Sequence, residues 1–358
     1  MKITAFTKMS KEGWNALAFE VEGFTGALPK PVDFTCEGNF RGFRSKVQSD
    51  GVTAVTLNDG VLHLDVDPFA WFGRFTITGA GLTIEKAGID EVKTEMYEGF
   101  EAHREKDVIY QLYTPKAYGP RPLILYLHGG GECGDDNCTQ MMYNGAPYLA
   151  EEYPDMYVMA PQAPRGAFNP MAMPAGQAAK MMNRPFAESD TKGEQGWHRQ
   201  YLAKICDIIR EMIAEGKVLA SRVYVLGASM GGGGTIRAMS VGADLFAAAA
   251  PVCPTMTPET FNILSSLYHA KVWVSTAYVD HTIYRHKYIA DAIMNLQQAG
   301  NKDAHMTLYS PEELAKYGIG TDPETPYKEL FEQNHGTWNL TVKNEYGILS
   351  WLFSQVKD

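Results

Sequence analysis

Hydrophobic and polar positions follow two different rhythms along this chain. In the first 95 or so residues the apolar positions tend to alternate with polar ones. Val52-Thr53-Ala54-Val55-Thr56-Leu57 is rich in β-formers and runs into Asn58-Asp59-Gly60. The partner run, Val61-Leu62-His63-Leu64-Asp65-Val66, alternates across one face. Two such runs joined by an Asp-Gly turn predict a β-hairpin. Phe75–Thr78 and Leu82–Ile84 read as further short strands around Gly79-Ala80-Gly81, and no helical period interrupts them. The expectation for residues 1–98 is a small all-β sandwich, immunoglobulin-like. The charged stretch from Glu85 to Glu98 reads as its boundary.

From about residue 100 the rhythm changes. Val108–Tyr113 predicts a strand that stops before Pro115. Leu123-Ile124-Leu125-Tyr126-Leu127 is apolar without a break, as strands buried on both faces are. Met156–Ala160 repeats that pattern and ends at Pro161. Tyr201, Leu202, Ile205, Ile208, Ile209, Met212 and Ile213 recur at helical spacing, and Gly216 suits the cap. Val223–Leu226, Leu245–Ala250, Val272–Ser275 and His305–Tyr309 read as later strands. Strands alternating with helices predict an α/β domain over residues 99–358, its mostly parallel sheet covered by helices.

The candidate chemistry lies in that second region. Gly227-Ala228-Ser229-Met230-Gly231 follows the apolar run Val223–Leu226 and is a Gly-x-Ser-x-Gly motif. Strand, glycine-flanked serine, helix is the order of a nucleophile elbow, in which a tight turn lifts the serine hydroxyl above the sheet. Gly231 to Gly234 then open the helix. Each glycine inside a helix costs about 1 kcal/mol relative to alanine, so such a run implies close approach of backbone to backbone.

Serine is a weak nucleophile and needs a base, and the base needs an orienting acid. In a sheet of this kind the chain order is serine, acid, histidine. Asp280 lies just past the Val272–Ser275 strand and is the candidate acid. His335, in Asn334-His335-Gly336-Thr337-Trp338 ahead of a last helix over 346–353, is the candidate base. The other histidines precede the acid, adjoin it, or fall in a strand or at a helix start. An oxyanion formed at Ser229 needs fixed N–H donors. Met230 is one candidate. Gly130 is the other, with Gly131 as its alternative, from the loop His128-Gly129-Gly130-Gly131-Glu132; His128 itself reads as structural.

Composition narrows the classes. The 358 residues carry a net charge of −10, which disfavours nucleic acid or an anionic membrane as partner. No apolar run reaches the ~18 residues of a membrane-spanning helix. The first residues lack the apolar core of a signal peptide, so a cytoplasmic protein is expected, with a secreted mature form as the alternative. The cysteines, Cys36, Cys133, Cys138, Cys206 and Cys253, are odd in number and do not form a disulfide framework. Thiols are expected, with a Cys133–Cys138 pairing left open, and a zinc site is not expected.

Several segments together resemble a known family. His-Gly-Gly-Gly-Glu-Cys-Gly-Asp-Asp-Asn at 128–137 is similar to the His-Gly-x-Gly-Glu-Arg-Gly-x-Asp-Asn loop of α/β-hydrolases of the polyhydroxybutyrate-depolymerase-like group. That group includes feruloyl and acetyl esterases related to dienelactone hydrolases. Ala160-Pro161-Gln162-Ala163-Pro164, the segment Arg222–Gly232, and Gly336-Thr337-Trp338 with Trp351–Gln355 resemble the same group, over residues from about 105 to 358. Cys133 stands where the group has arginine, and Thr276-Ala277 where it has His-Gly. The resemblance implies a serine carboxylesterase acting through an acyl-enzyme on short-chain or plant-cell-wall-type (acetyl or feruloyl) esters. It implies no metal and no organic cofactor. Members with an N-terminal immunoglobulin-like domain suit residues 1–98.

The expected partner is a small-molecule or saccharide-linked ester. Residues 165–198, with several methionines and aromatic residues, read either as a cap over the site or as surface packing. Glu312–Glu332 is a second excursion that could line the cleft. Trp197 and Trp338 are candidates to stack on a sugar or phenolic ring, although core packing is the commoner fate of tryptophan. An acyltransferase, a serine peptidase, or a catalytically silent binding protein are the alternative functions. The N-terminal domain is a candidate for carbohydrate binding, homo-oligomer formation or shielding of the active-site mouth.

Overall fold

The computed structural model describes residues 1–11, 13–39, 51–71, 74–142, 145–164, 196–278, 280, 285–316, 335–344 and 346–357. The chain divides into two compact units. One comprises Met1–Gly99 with Met141–Tyr148, the other Phe100–Gln140 with Leu149–Asp358.

The first unit has strands β1 (Lys2–Ser10), β2 (Gly13–Glu22), β3 (Phe34–Asn39), β4 (Val52–Asn58), β5 (Val61–Ala70), β6 (Arg74–Gly79), β7 (Leu82–Glu85) and β8 (Glu91–Glu95). They form two sheets, ordered β4-β5-β2-β1-β8 and β3-β6-β7. The β4–β5 hairpin is the one its alternation predicts, with Asn58 opposite Val61. Its turn places Asp59 at φ 50° and Gly60 at φ 77°, the paired positive angles that match strand twist. One core joins the sheets: Phe19, Leu62 and Leu64 pack with Phe75, Ile77 and Ile84.

The charged stretch read as a boundary contains a strand. β8 runs parallel to β1, from Thr4 opposite Glu91 to Lys8 opposite Glu95. Lys2 Nζ and Lys8 Nζ donate to Glu91 and Glu95, each at 2.7 Å. β8 lies at the sheet's edge, where charged side chains stay solvated and protect an open edge. An edge strand therefore need not show the apolar alternation that marks β5.

The second unit has strands β9 (Phe100–Glu105), β10 (Val108–Tyr113), β11 (Arg121–Leu127), β12 (Tyr157–Pro161), β13 (Val218–Ala228), β14 (Ala248–Val252), β15 (Val272–Ala277) and β16 (Ala304–Tyr309). They form one sheet in the order β16-β15-β14-β13-β11-β12-β10-β9. Neighbours from β16 to β12 are parallel, and β10 and β9 are antiparallel. The unbroken apolar runs are buried along their length, as in β12 and β14. One strand departs from its predicted span. Residues 245–247 are buried but lead into β14 through a turn closed by Leu245 N–H on Gly242 O. A buried turn carries the same apolar signature as the strand it feeds.

Helix Arg199–Ala214 buries Tyr201, Leu202, Ile205, Ile208, Ile209 and Met212, the stripe expected from its period. The His198 side chain caps it by accepting the Tyr201 N–H. Helices Met230–Val241, Pro258–Ser266 and Arg285–Gln298 follow β13, β14 and β15. Successive crossovers put the carboxyl ends of the parallel strands on one rim, where ligands bind in open α/β sheets. Ser229 follows β13, Cys253 follows β14 and Asp280 lies three residues past β15. Among the described residues no helix is long and apolar enough to cross a membrane.

Candidate active site

The turn at Ser229 is strained. Its backbone sits at φ 61°, ψ −117°, an angle pair that L side chains rarely adopt. Three hydrogen bonds fix it there: Ser229 N–H to Val252 O at 2.9 Å, and Gly233 N–H and Thr255 N–H to Ser229 O at 3.1 and 2.9 Å. The flanking glycines are a packing requirement. A Cβ at Gly227 would lie 2.3 Å from Leu127 O, and one at Gly231 only 1.9 Å from the same atom. A Cβ at Gly234 would strike the Trp197 ring at 2.6 Å. The helix therefore approaches β11 and β14 more closely than any residue with a side chain permits.

The loop after β11 is held by buried polar groups. His128 is fully buried, its Nδ1 2.7 Å from Gly129 O, and its Nε2 accepts the Ala163 N–H at 2.9 Å. Those contacts place the proton on Nδ1, and burial lowers the imidazole to about 4, so His128 is a neutral structural group. The buried Glu132 carboxylate accepts the Gly129 N–H at 2.9 Å. Gln162 donates to Glu132 O and to Asp136 Oδ1 and accepts the Asn137 N–H. Asn137 in turn donates to Tyr110 O and His103 O. The 128–137 loop and the Pro161-Gln162 stretch thus form one hydrogen-bonded frame. That frame brings Gly129 beside the serine, since a Cβ there would lie 4.0 Å from Ser229 Cβ. Gly130 opens the 3-10 turn Gly130–Glu132, and a Cβ on it would meet nothing within 4 Å.

Cys133, where the resembling group has arginine, directs its Sγ to Met230 Sδ at 3.8 Å and packs against the core. All five cysteines are free thiols, including Cys133 and Cys138.

Asp280 and His335, 55 positions apart in sequence, meet in the interior. His335 Nδ1 lies 2.8 Å from Asp280 Oδ1; the aspartate is 0% and the histidine 5% exposed. Thr276 Oγ1 donates to Asp280 Oδ2 at 3.3 Å. Two further residues complete the cluster, and neither was singled out from the sequence. Arg285 Nη1 donates to Cys253 O at 2.9 Å and lies 3.3 Å from Asp280 Oδ2 and 3.0 Å from His335 Nδ1. Nδ1 cannot accept from the guanidinium while donating to Asp280. The shorter contact to a carboxylate assigns the proton to Nδ1, and the Arg285 hydrogens to Cys253 O and Asp280. Cys253, at φ 37°, completes the cluster: its sulfur and the ligand atoms of Asp280 and His335 all lie within 4.8 Å of one another.

This environment perturbs both titrating groups. Burial disfavours the imidazolium, yet the charges of Asp280 and Cys253 and hydrogen bonds to both raise His335 to about 9. Burial would push the Cys253 thiol up, but the charge of His335, their hydrogen bond and Arg285 bring it below the ordinary value. The Ser229 N–H bonds the carbonyl of Val252, the residue before Cys253.

Trp197 and Trp338 take core positions, in place of the stacking role considered for them. Trp197 is 0% exposed and donates its indole N–H to His128 O at 3.0 Å. Trp338 is 2% exposed and packs on the Tyr126 ring at 5.3 Å. Both brace the loop and strands beneath the site. Residues 165–195 of the expected cap and 317–332 of the second excursion lie outside the described residues.

No protein-family model matches the sequence, and no curated protein matches it. Solved structures do. A thermostable esterase is 21% identical, aligned over 99% of this chain and 100% of that chain, with a TM-score of 0.59. An S-formylglutathione hydrolase from Agrobacterium tumefaciens is 15% identical over 72% of this chain and 95% of that chain, at a TM-score of 0.44. One from Staphylococcus aureus is 13% identical over 71% and 95%, at 0.43. The thermostable esterase is the one of these three whose likeness extends to the fold as a whole. With the strand order and elbow above, it defines the second unit as an α/β-hydrolase fold.

Proposed function

We propose that this protein is a serine ester hydrolase, with Ser229 as nucleophile, His335 as base and Asp280 as the acid that orients it. The observation that carries this reading is a strained serine at the end of β13, on the rim that also holds a buried His335–Asp280 pair. Ser229 attacks the ester carbonyl as its proton passes to His335. The N–H groups of Met230 and Gly130, with Gly131 as the alternative, receive the oxyanion. Asp280 keeps the imidazole proton on Nδ1. Water, activated by the same histidine, then releases the acid from the acyl-enzyme.

Carboxylesters with short acyl groups, or acetyl and feruloyl groups on a saccharide, are the proposed substrates. This rests on the likeness of the 128–137 loop to esterases that act on such compounds. The two sheets of the first unit are proposed to be an immunoglobulin-like sandwich over residues 1–98, followed by the hydrolase domain over 99–358.

Release of nitrophenol from acetyl, butyryl and octanoyl esters tests the reading. Wild type should turn over, and Ser229→Ala should lose about 10^6-fold in kcat with an unchanged far-ultraviolet dichroism spectrum. Turnover retained by folded Ser229→Ala sinks the assignment.

A further inference from the structure

Cys253 has no part in that mechanism, yet it stands in the same cluster as the base. Its Sγ and the ligand atoms of Asp280 and His335 lie within 4.8 Å of one another, all three residues buried. Thiolate, imidazole and carboxylate are the ligand set of zinc. Tetrahedral ligands on bonds of about 2.0–2.3 Å stand roughly 3.5 Å apart, so a pair at the 4.8 Å limit need close by about 1.3 Å. Each side chain comes from a residue beyond the end of a strand, and Cys253 N–H is held to Ser275 O at 2.7 Å, so closure on an ion falls to side-chain rotation.

We propose that Cys253, Asp280 and His335 form an inhibitory site for a thiophilic divalent cation of the zinc class. Cys253 supplies thiolate sulfur, His335 a ring nitrogen and Asp280 a carboxylate oxygen, leaving the fourth position to water. The ligand form needs the thiolate and a free imidazole lone pair at once. Binding therefore releases protons to solvent and weakens as pH falls, and no electron moves. The guanidinium of Arg285, 3.3 Å from Asp280 Oδ2, repels the ion, which makes the site weaker than a closed structural zinc centre. Hard cations such as magnesium prefer an all-oxygen shell and are excluded by the sulfur. An occupied site has no base to offer Ser229. This inhibitory consequence rests on the hydrolase reading, whereas the binding does not.

Cobalt(II) is the probe, because a cobalt–thiolate bond gives a charge-transfer absorption that nitrogen and oxygen ligands do not. The full chain is titrated as wild type, Ser229→Ala, Cys253→Ser and Cys253→Ala, with dichroism to confirm folding. The expected result is a saturable thiolate band in wild type and Ser229→Ala, displaced by zinc, and absent from both Cys253 variants. No band in wild type, or the same band without Cys253, overturns the proposal, because four other thiols would then account for any binding. In ester turnover, zinc should inhibit wild type at concentrations at least about tenfold below those needed for Cys253→Ser. Equal inhibition of the two overturns the inhibitory role. A wild type that binds cobalt through Cys253 but turns over no ester defeats the hydrolase reading and leaves the metal site standing.

Discussion

The two halves of the candidate site are built by different physics. At Ser229 the geometry comes from backbone: a positive φ, three main-chain hydrogen bonds and glycines pressed against Leu127 O. At His335 it comes from side-chain charge: a carboxylate, a guanidinium and a thiol around one buried imidazole. A backbone-built half is local, and the residue types it demands stand together in sequence. A charge-built half draws on residues scattered over 80 positions, any of which looks ordinary alone. Substitution of the glycines in the first half should therefore cost structure, and substitution in the second should change titration and rate.

After removal of Ser229 itself, the largest effect expected is in the charged half. Asp280→Asn keeps the shape but removes the charge and the acceptor that hold Nδ1–H, and kcat should fall about 10^4-fold. Steady-state ester hydrolysis with a thermal melt measures it, and a near-wild-type rate would move the acid role elsewhere. Next comes the backbone half. Gly231→Ala puts a Cβ 1.9 Å from Leu127 O and should cost about 3 kcal/mol or more, read as a fall in the urea midpoint. A midpoint unchanged within error would show that the helix can retreat and that close approach is not required.

The smallest effect is the most diagnostic of the charged half. As the proposed base, His335 must be neutral to take the serine proton, and its pKa is raised to about 9, so kcat/KM should climb with pH through that value. Cys253 is one of the groups that raise it. Cys253→Ala should therefore move the limb to lower pH, towards the ordinary histidine range, and an unmoved limb would remove Cys253 from the electrostatics of the base. The same coupling bears on stability. The contribution of the protonated His335 is fully present below the ordinary histidine range and is lost as pH rises through about 9.

Legibility followed these lines. The elbow, the parallel strands and the Arg199–Ala214 helix could be read because each rests on spacing over a few residues. Asp280 and His335 could be named as candidates because they fall after a late strand and before a last helix. Nothing in Asp280 to Arg285 marks the arginine as a buried partner. Cys253 carried a faint signal, since it follows β14 as Ser229 follows β13. Asking which residue ends every parallel strand would have found it. β8 was missed because an edge strand tied by Lys–Glu pairs has the composition of a linker.

By itself the sequence determined the two rhythms that separate an all-β region from an α/β one, and the serine turn whose glycines admit no substitute. Period and local sterics act within a few residues, so they are written where they operate. Only the tertiary structure decided that Trp197 and Trp338 are core residues, that Gln162 and Asn137 frame the loop at Gly129, and that Cys253 and Arg285 surround His335. Burial and charge coupling depend on distances in space, and folding sets those distances between residues that the chain keeps far apart.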